Sequence, residues 1–265
     1  MTTPTRDMSY ADYLALDDLL AAQRPLSNEH DELLFIVIHQ ASELWLKLSI
    51  HELAAARDHI ARDDLGPAFK MIARVSRIQG QLIQSWDVLA TMTPSDYARL
   101  RPHLGSSSGF QSHQFRHLEF LMGGRDAAHI LPHRGRPAEA ALSAALGAPS
   151  LYDECIRLLA RRGFAIPAAL IERDWSRRHV RDPAVAAAWL SVYRDPERFW
   201  DLYELAEKLM DLEFRFQQWR FAHMKTVERI IGFQTGTGGS AGSAYLARAL
   251  SESFFPELLE VRGGL

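Results

Sequence analysis

From Asp31 to Ala61, apolar residues recur in steps of three and four: Leu34, Ile38, Ala41, Trp45, Leu48, Ala55. That period puts them on one face of a long amphipathic helix. Phe35–Ile38 is locally strand-like because it is β-branched and aromatic, but the helical period continues on both sides of it. Gly66-Pro67 interrupts the chain, and Pro67 suits the first turn of a second helix running to about Met92. Thr93-Pro94 then supplies an N-cap and a first helical residue. "LGSSSG" (Leu104–Gly109) is a loop, followed by a helix over "FQSHQFRHLEFLM" that stops at Gly123-Gly124. Residues 125–137 are irregular, and helices are expected at about 137–147, 150–162 and 183–193, with mixed signals over 163–182. Asp195-Pro196 opens the last long helix, whose stripe is Phe199, Leu202, Leu205, Leu209, Leu212, Phe216, Trp219, His223, Val227 and Ile230. A short helix at 244–251 and a tail over 253–265 complete the chain. No alternating run qualifies as a strand, so the pattern predicts an all-α helical bundle. Its two helices of ~30 residues would each be ~45 Å long, enough to reach neighbouring subunits.

Composition changes this picture mainly by exclusion. The 265 residues suit one large unit spanning 1–265. A net charge of −3 gives no reason to expect a nucleic-acid surface. The single cysteine, Cys155, rules out an intramolecular disulfide and, with no CxxCH or CxxC, covalent c-type haem and thiol-rich zinc sites. The polar start lacks the apolar core of a signal peptide, and no unbroken apolar run approaches the ~18 residues of a membrane span. A reducing, cytoplasmic setting without membrane partners is the resulting expectation.

Four features carry candidate chemistry. His223 sits among Trp219 and Val227 on one helix face. It reads either as a core histidine satisfied by a buried hydrogen bond or as an axial haem ligand backed by an apolar wall. "TGTGGSAG" (Thr235–Gly242) reads as a linker or as a flap over a small ligand, in which glycines admit close backbone approach and Thr237 and Ser240 offer hydroxyls. As a phosphate loop it lacks the Lys-Ser/Thr ending. His39 and Phe35, four apart, suit the rim of a pocket or an interface. Tyr97 and Arg101, also four apart, suit a carboxylate clamp or an ordinary surface pair. His113 and His117 share a helix face, but HExxH and Glu-x-x-His pairs are absent, so they read as solvated or interface residues.

Taken together, "SYADYLALDDLL", "HDELLFIVIHQASELWLKL", "MTPSDYARLR", "GSSSGFQSHQFRHLEFL", "FQQWRFAHMKTVERIIGF" and "GTGGSAG" resemble the tryptophan 2,3-dioxygenases. The resemblance runs from Met8 to about Arg262, and the pairing of WRFAHM with GTGGS is its most specific part. It implies an all-α homotetramer binding haem b non-covalently. It implies insertion of both atoms of O2 across the indole C2–C3 bond of L-tryptophan to give N-formyl-L-kynurenine, the first step of the kynurenine route of tryptophan catabolism. Matched residue by residue, His223 falls on the axial ligand of the haem iron and His39 on the distal histidine facing the indole N–H. Phe35 falls on the wall of the substrate pocket, Tyr97 and Arg101 on the carboxylate contacts, and Thr237 on the residue holding the ammonium and carboxylate. Ser108 falls on a distal hydroxyl, and Tyr10 and Tyr13 on aromatics that residues 1–27 lend to a neighbouring subunit's pocket. Residues 233–243 fall on a mobile flap. Ala241 stands where a second serine is usual, and His113 where leucine is commoner. The competing expectations are a haem monooxygenase or peroxygenase acting on another indole, for which Arg101 and Thr237 would have nothing to bind, and a non-catalytic helical or haem-sensing assembly.

Overall fold

The computed structural model describes residues 8–237 and 243–265. Among these there are helices and turns and no strand, as the periodicity predicts. Two short helices, α1 (Tyr10–Leu14) and α2 (Leu16–Leu20), precede the first long one, α3 (Asp31–Ala61). Asp31 and Glu32 place negative charge at the start of α3, where the helix dipole favours it. The Glu32 carboxylate also accepts the backbone N–H groups of Leu26 and Ser27, both at 2.7 Å, which ties the preceding strap to the helix.

The second long helix, α4 (Leu65–Leu89), begins two residues before Pro67 and ends at Leu89 rather than near Met92. It lies between α3 and the last long helix, α11 (Trp200–Ile231), and packs along both. Between them come α5 (Pro94–Leu104), α6 (His113–Met122), α7 (Ala138–Gly147), α8 (Leu151–Arg161), α9 (Ala168–Ile171) and α10 (Pro183–Arg194). Thr93 caps α5 as expected. Its hydroxyl accepts from Asp96 N while Asp96 accepts from Thr93 N, both at 3.2 Å, which makes a reciprocal capping box.

The α11 stripe holds. Leu202, Leu205, Leu209, Leu212 and Phe216 are buried, with Trp219, His223 and Val227 partly so. The α3 stripe is displaced. Its core face is Leu46, Ser49, Leu53, Ala56 and Ile60, whereas Leu34, Ile38, Ala41, Trp45, Leu48 and Ala55 are only partly buried. The segment from Leu33 to Ile38 is apolar all round, so periodicity there does not single out one face. By length and composition α3 is apolar enough to cross a membrane, contrary to the expectation that no apolar run approaches a membrane span. Here it packs against α4, α6 and α8.

Three other boundaries differ from the sequence reading. α6 starts at His113 because Ser112 caps it, its hydroxyl accepting from Phe115 N at 3.1 Å; Gly109–Gln111 is a separate 3-10 turn. Within 125–137, Ala127–His133 forms a 3-10 helix. α11 begins at Trp200, with Phe199 as its cap. The largest departure is the expected tail. After α12 (Ser243–Ala249) the chain forms α13 (Pro256–Glu260) and a 3-10 turn, with Phe255 and Leu258 fully buried. Glu257, also fully buried, accepts from Tyr152 Oη (2.9 Å), Asp182 N (2.9 Å) and His179 Nε2 (2.7 Å). A short segment rich in charge shows no periodicity, but these contacts make it part of the core.

Candidate functional site

Four of the expected site residues come from three helices that converge. α3 carries Phe35 and His39, α5 carries Tyr97 and α11 carries His223. Phe35 and Tyr97 pack, with Leu34, Ile38, Trp86, Leu104 and Ile231, around the buried Leu89, Met92, Leu100 and Ile230. His39 lies close enough to His223 to oppose its protonation. Burial, reinforced by His39, pushes the His223 imidazole down to about 4. Burial also lowers His39, against the opposing pull of Phe35 O and Glu43. Both imidazoles are thus neutral at physiological pH.

The tautomer of His39 follows from its contacts. Its Nδ1 lies 2.7 Å from the carbonyl of Phe35, an acceptor only, so Nδ1 must carry the hydrogen. Nε2 is then left as an acceptor. The Phe35 ring sits 4.2 Å from the His39 ring, which braces it. His223 has a different setting. Trp86 stacks on it at 4.4 Å and 8°, and Trp219 leans on it at 5.4 Å. Among the described residues no hydrogen bond reaches either nitrogen of its ring, so the satisfied core histidine, one of the two sequence readings, is not what the structure contains.

A crevice of about 390 Å³ is lined by Ala98, Arg101, Pro102, Gly105, Gly236 and Thr237. Arg101 donates to Gln234 Oε1 (3.3 Å) and to the carbonyl of Thr235 (2.7 Å). It makes no ion pair among the described residues. Thr237 donates its hydroxyl to the carbonyl of Ser107. Arg101 and Thr237 therefore come together at one crevice, with the approach to the glycine-rich loop fastened to α5. Tyr97 is half-buried, and burial raises its phenol above the usual range. Ser108 lies next to Ser107, and its hydroxyl accepts from Phe110 N at 3.3 Å. Residues 238–242, the middle of the expected flap over 233–243, lie outside the described residues.

Tyr10 and Tyr13 are not brought to the site within one chain. They are 76% and 75% exposed, and α1 and α2 bury no residue. His113 is exposed and His117 half-buried, and no group of three or more metal-ligating side chains assembles among the described residues. A lone neutral imidazole with an aromatic wall, as at His223, could hold only a group that brings its own remaining ligands. The sequence reading missed Trp86, Gln234 and Ser107. Their roles depend on how α4 rotates toward α11 and on where the loops touch, and no local pattern encodes either.

A family model described as tryptophan 2,3-dioxygenase matches residues 2–136 and 147–265. The tryptophan 2,3-dioxygenase of Erythrobacter litoralis is 61% identical over 97% of this chain and 98% of its own length. Tryptophan 2,3-dioxygenase 1 of Ralstonia nicotianae is 59% identical over 98% of this chain and 89% of its own. The enzyme of that name from Polaromonas sp. is 58% identical over the same shares. With a match this long, the chain belongs to the tryptophan 2,3-dioxygenase family.

Proposed function

We propose that this protein holds haem b non-covalently and uses O2 to cleave the indole C2–C3 bond of L-tryptophan, giving N-formyl-L-kynurenine. The observation that carries this is the pair His39 and His223, brought near each other from different helices, together with an arginine that has no carboxylate partner among the described residues. The residues fit a haem. His223 is neutral, as iron ligation requires. Its surroundings are aromatic, and the buried Trp86 Nε1 has no acceptor among the described residues. A donor left that way costs about 1–3 kcal/mol, and a porphyrin's carboxylates are acceptors of the right charge. When bound, the haem supplies the iron that binds and activates O2.

The chain's own residues bind and orient the amino acid. Phe35 provides the apolar wall for the indole, and Tyr97 stands with Arg101 at the substrate carboxylate. The Nε2 lone pair of His39 accepts the indole N–H, and depressed basicity keeps that acceptor free of a competing proton. No proton has to leave the indole nitrogen first, so His39 orients rather than abstracts. The substrate carboxylate takes the fork of Arg101, which exchanges the Gln234 and Thr235 contacts for it. The Thr237 hydroxyl serves the ammonium and carboxylate, with the flap around it shielding the site from water, and Ser108 adds a hydroxyl on the distal side. Tyr10 and Tyr13, exposed in one chain, reach a neighbour's pocket in a homotetramer of a cytoplasmic enzyme.

Hemin-reconstituted, reduced protein given L-tryptophan and O2 will build the absorbance of N-formylkynurenine. A haem-loaded sample that yields no such product would sink the proposal. Comparing tryptophan with plain indole separates it from an indole monooxygenase, because only the amino acid uses Arg101 and Thr237.

A further inference from the structure

A histidine bound to a metal usually has its ring fixed by a hydrogen bond from its outer N–H to a carboxylate or carbonyl. His223 has none among the described residues. What it has is the flat face of Trp86, 8° from parallel and 4.4 Å away. Trp86 is itself held in place. It sits on α4, which packs along α11, and it contacts Trp219 at 5.8 Å. Trp219 in turn rests on Phe115 at 5.0 Å and Phe216 at 5.8 Å.

We infer that Trp86 is a positioning residue for the axial imidazole, setting the rotation of the His223 ring about its bond to iron. The inference rests on the haem assignment above. A ligand held by one coordinate bond turns about that bond with little resistance. A wall at stacking distance removes the freedom, because turning the ring drives its edge into the indole face. The negative π-face of the indole also favours an imidazole made electron-poor by ligation. This role falls to the ring face and not to the indole N–H, so an aromatic replacement preserves it.

The test uses full-length protein reconstituted with hemin, as wild type, Trp86→Phe and Trp86→Met. Methionine fills volume without presenting a flat face. The readouts are the rhombic splitting and line width of the ferric high-spin electron paramagnetic resonance signal, and the rate of haem transfer to excess apomyoglobin. Thermal melts check that both variants are folded. Trp86→Phe keeps the wild-type splitting. Trp86→Met changes and broadens it and loses haem ~3–10-fold faster, the equivalent of one aromatic stack. A folded methionine variant with the wild-type line shape overturns the inference. So does a phenylalanine variant whose splitting and line width change as much as those of the methionine one, since the flat face would then not be what holds the ring. Wild-type protein that takes up no hemin fails the haem assignment itself, a separate and visible outcome.

Discussion

His223 links burial, ligation and pH at the level of single residues. Its folded value of about 4 lies well below the ~6.5 of an unfolded histidine. The unfolded chain therefore takes up a proton on acidification before the folded ring does. The stability tied to this difference is complete above about pH 6.5 and is lost as pH falls toward 4, to the extent of ~3 kcal/mol. His223→Leu in metal-free protein should flatten that dependence, as urea midpoints at about pH 7 and about pH 4.5 will register. In reconstituted protein, His223→Ala removes the axial donor, and the expected result is loss of the haem absorbance band. Arg101 is the other residue-level test. Arg101→Leu strips the cation from the crevice and should weaken tryptophan binding by ~2–5 kcal/mol. Arg101→Lys, a point charge without the fork, should recover only part of it. Substrate affinity from turnover and from spectral titration measures both, and turnover of plain indole should change little.

The site depends at the next scale on how each helix is started and joined to its neighbours. α5 delivers Tyr97 and Arg101 from a capping box only four residues before the first of them. Thr93→Ala removes one half of that box, at a cost of ~1 kcal/mol. The expected outcome is a modest fall in urea midpoint together with a raised KM for tryptophan, because fraying at Thr93 loosens the turn that aims both side chains. The C-terminal element is held differently. Glu257 collects three donors in a site closed to solvent, from α8, from the segment before α10 and from Asp182 N. Removing its carboxylate leaves Tyr152 Oη, His179 and a backbone N–H unpaired. Glu257→Ala should therefore destabilise by ~3–5 kcal/mol, far more than an ordinary substitution near a chain end. Thermal unfolding distinguishes this from a dispensable tail.

For the molecule as a whole, the informative surface is apolar and unpartnered within one chain. Tyr10, Tyr13, Leu20 and Leu26 are 71–76% exposed, and Leu33, Val37 and Leu44 on α3 and Phe214 and Phe221 on α11 add to them. Exposed apolar surface of this kind marks association, in keeping with the proposed tetramer. Deleting residues 1–20 removes no buried residue among those described, since α1 and α2 bury none. The truncated chain should keep its helical circular dichroism while losing tetramer mass in sedimentation and tryptophan turnover with it. Retained full activity in a truncated monomer would contradict the lending of Tyr10 and Tyr13 to a neighbour.

What the sequence determined by itself was the local grammar and the chemistry of individual side chains. The period of α11, the cap at Thr93, the stop at Gly123 with its φ of +116°, and the candidacy of His223, His39 and Arg101 all depend on residues within a turn or two of each other. The family motifs were legible for the same reason, being short and contiguous. The tertiary structure decided matters that depend on residues far apart in the chain. Which face of α3 is buried was open to it, because an all-apolar stretch has no preferred side until α4, α6 and α8 arrive. The burial of Phe255 and Glu257 needed partners from Tyr152 to Asp182. The tautomer of His39, the empty hydrogen-bonding edge of His223 and the indole stacked on it became definite only when α3, α4 and α11 packed together. Protonation and ring orientation are set by surroundings, and helix packing supplies those surroundings.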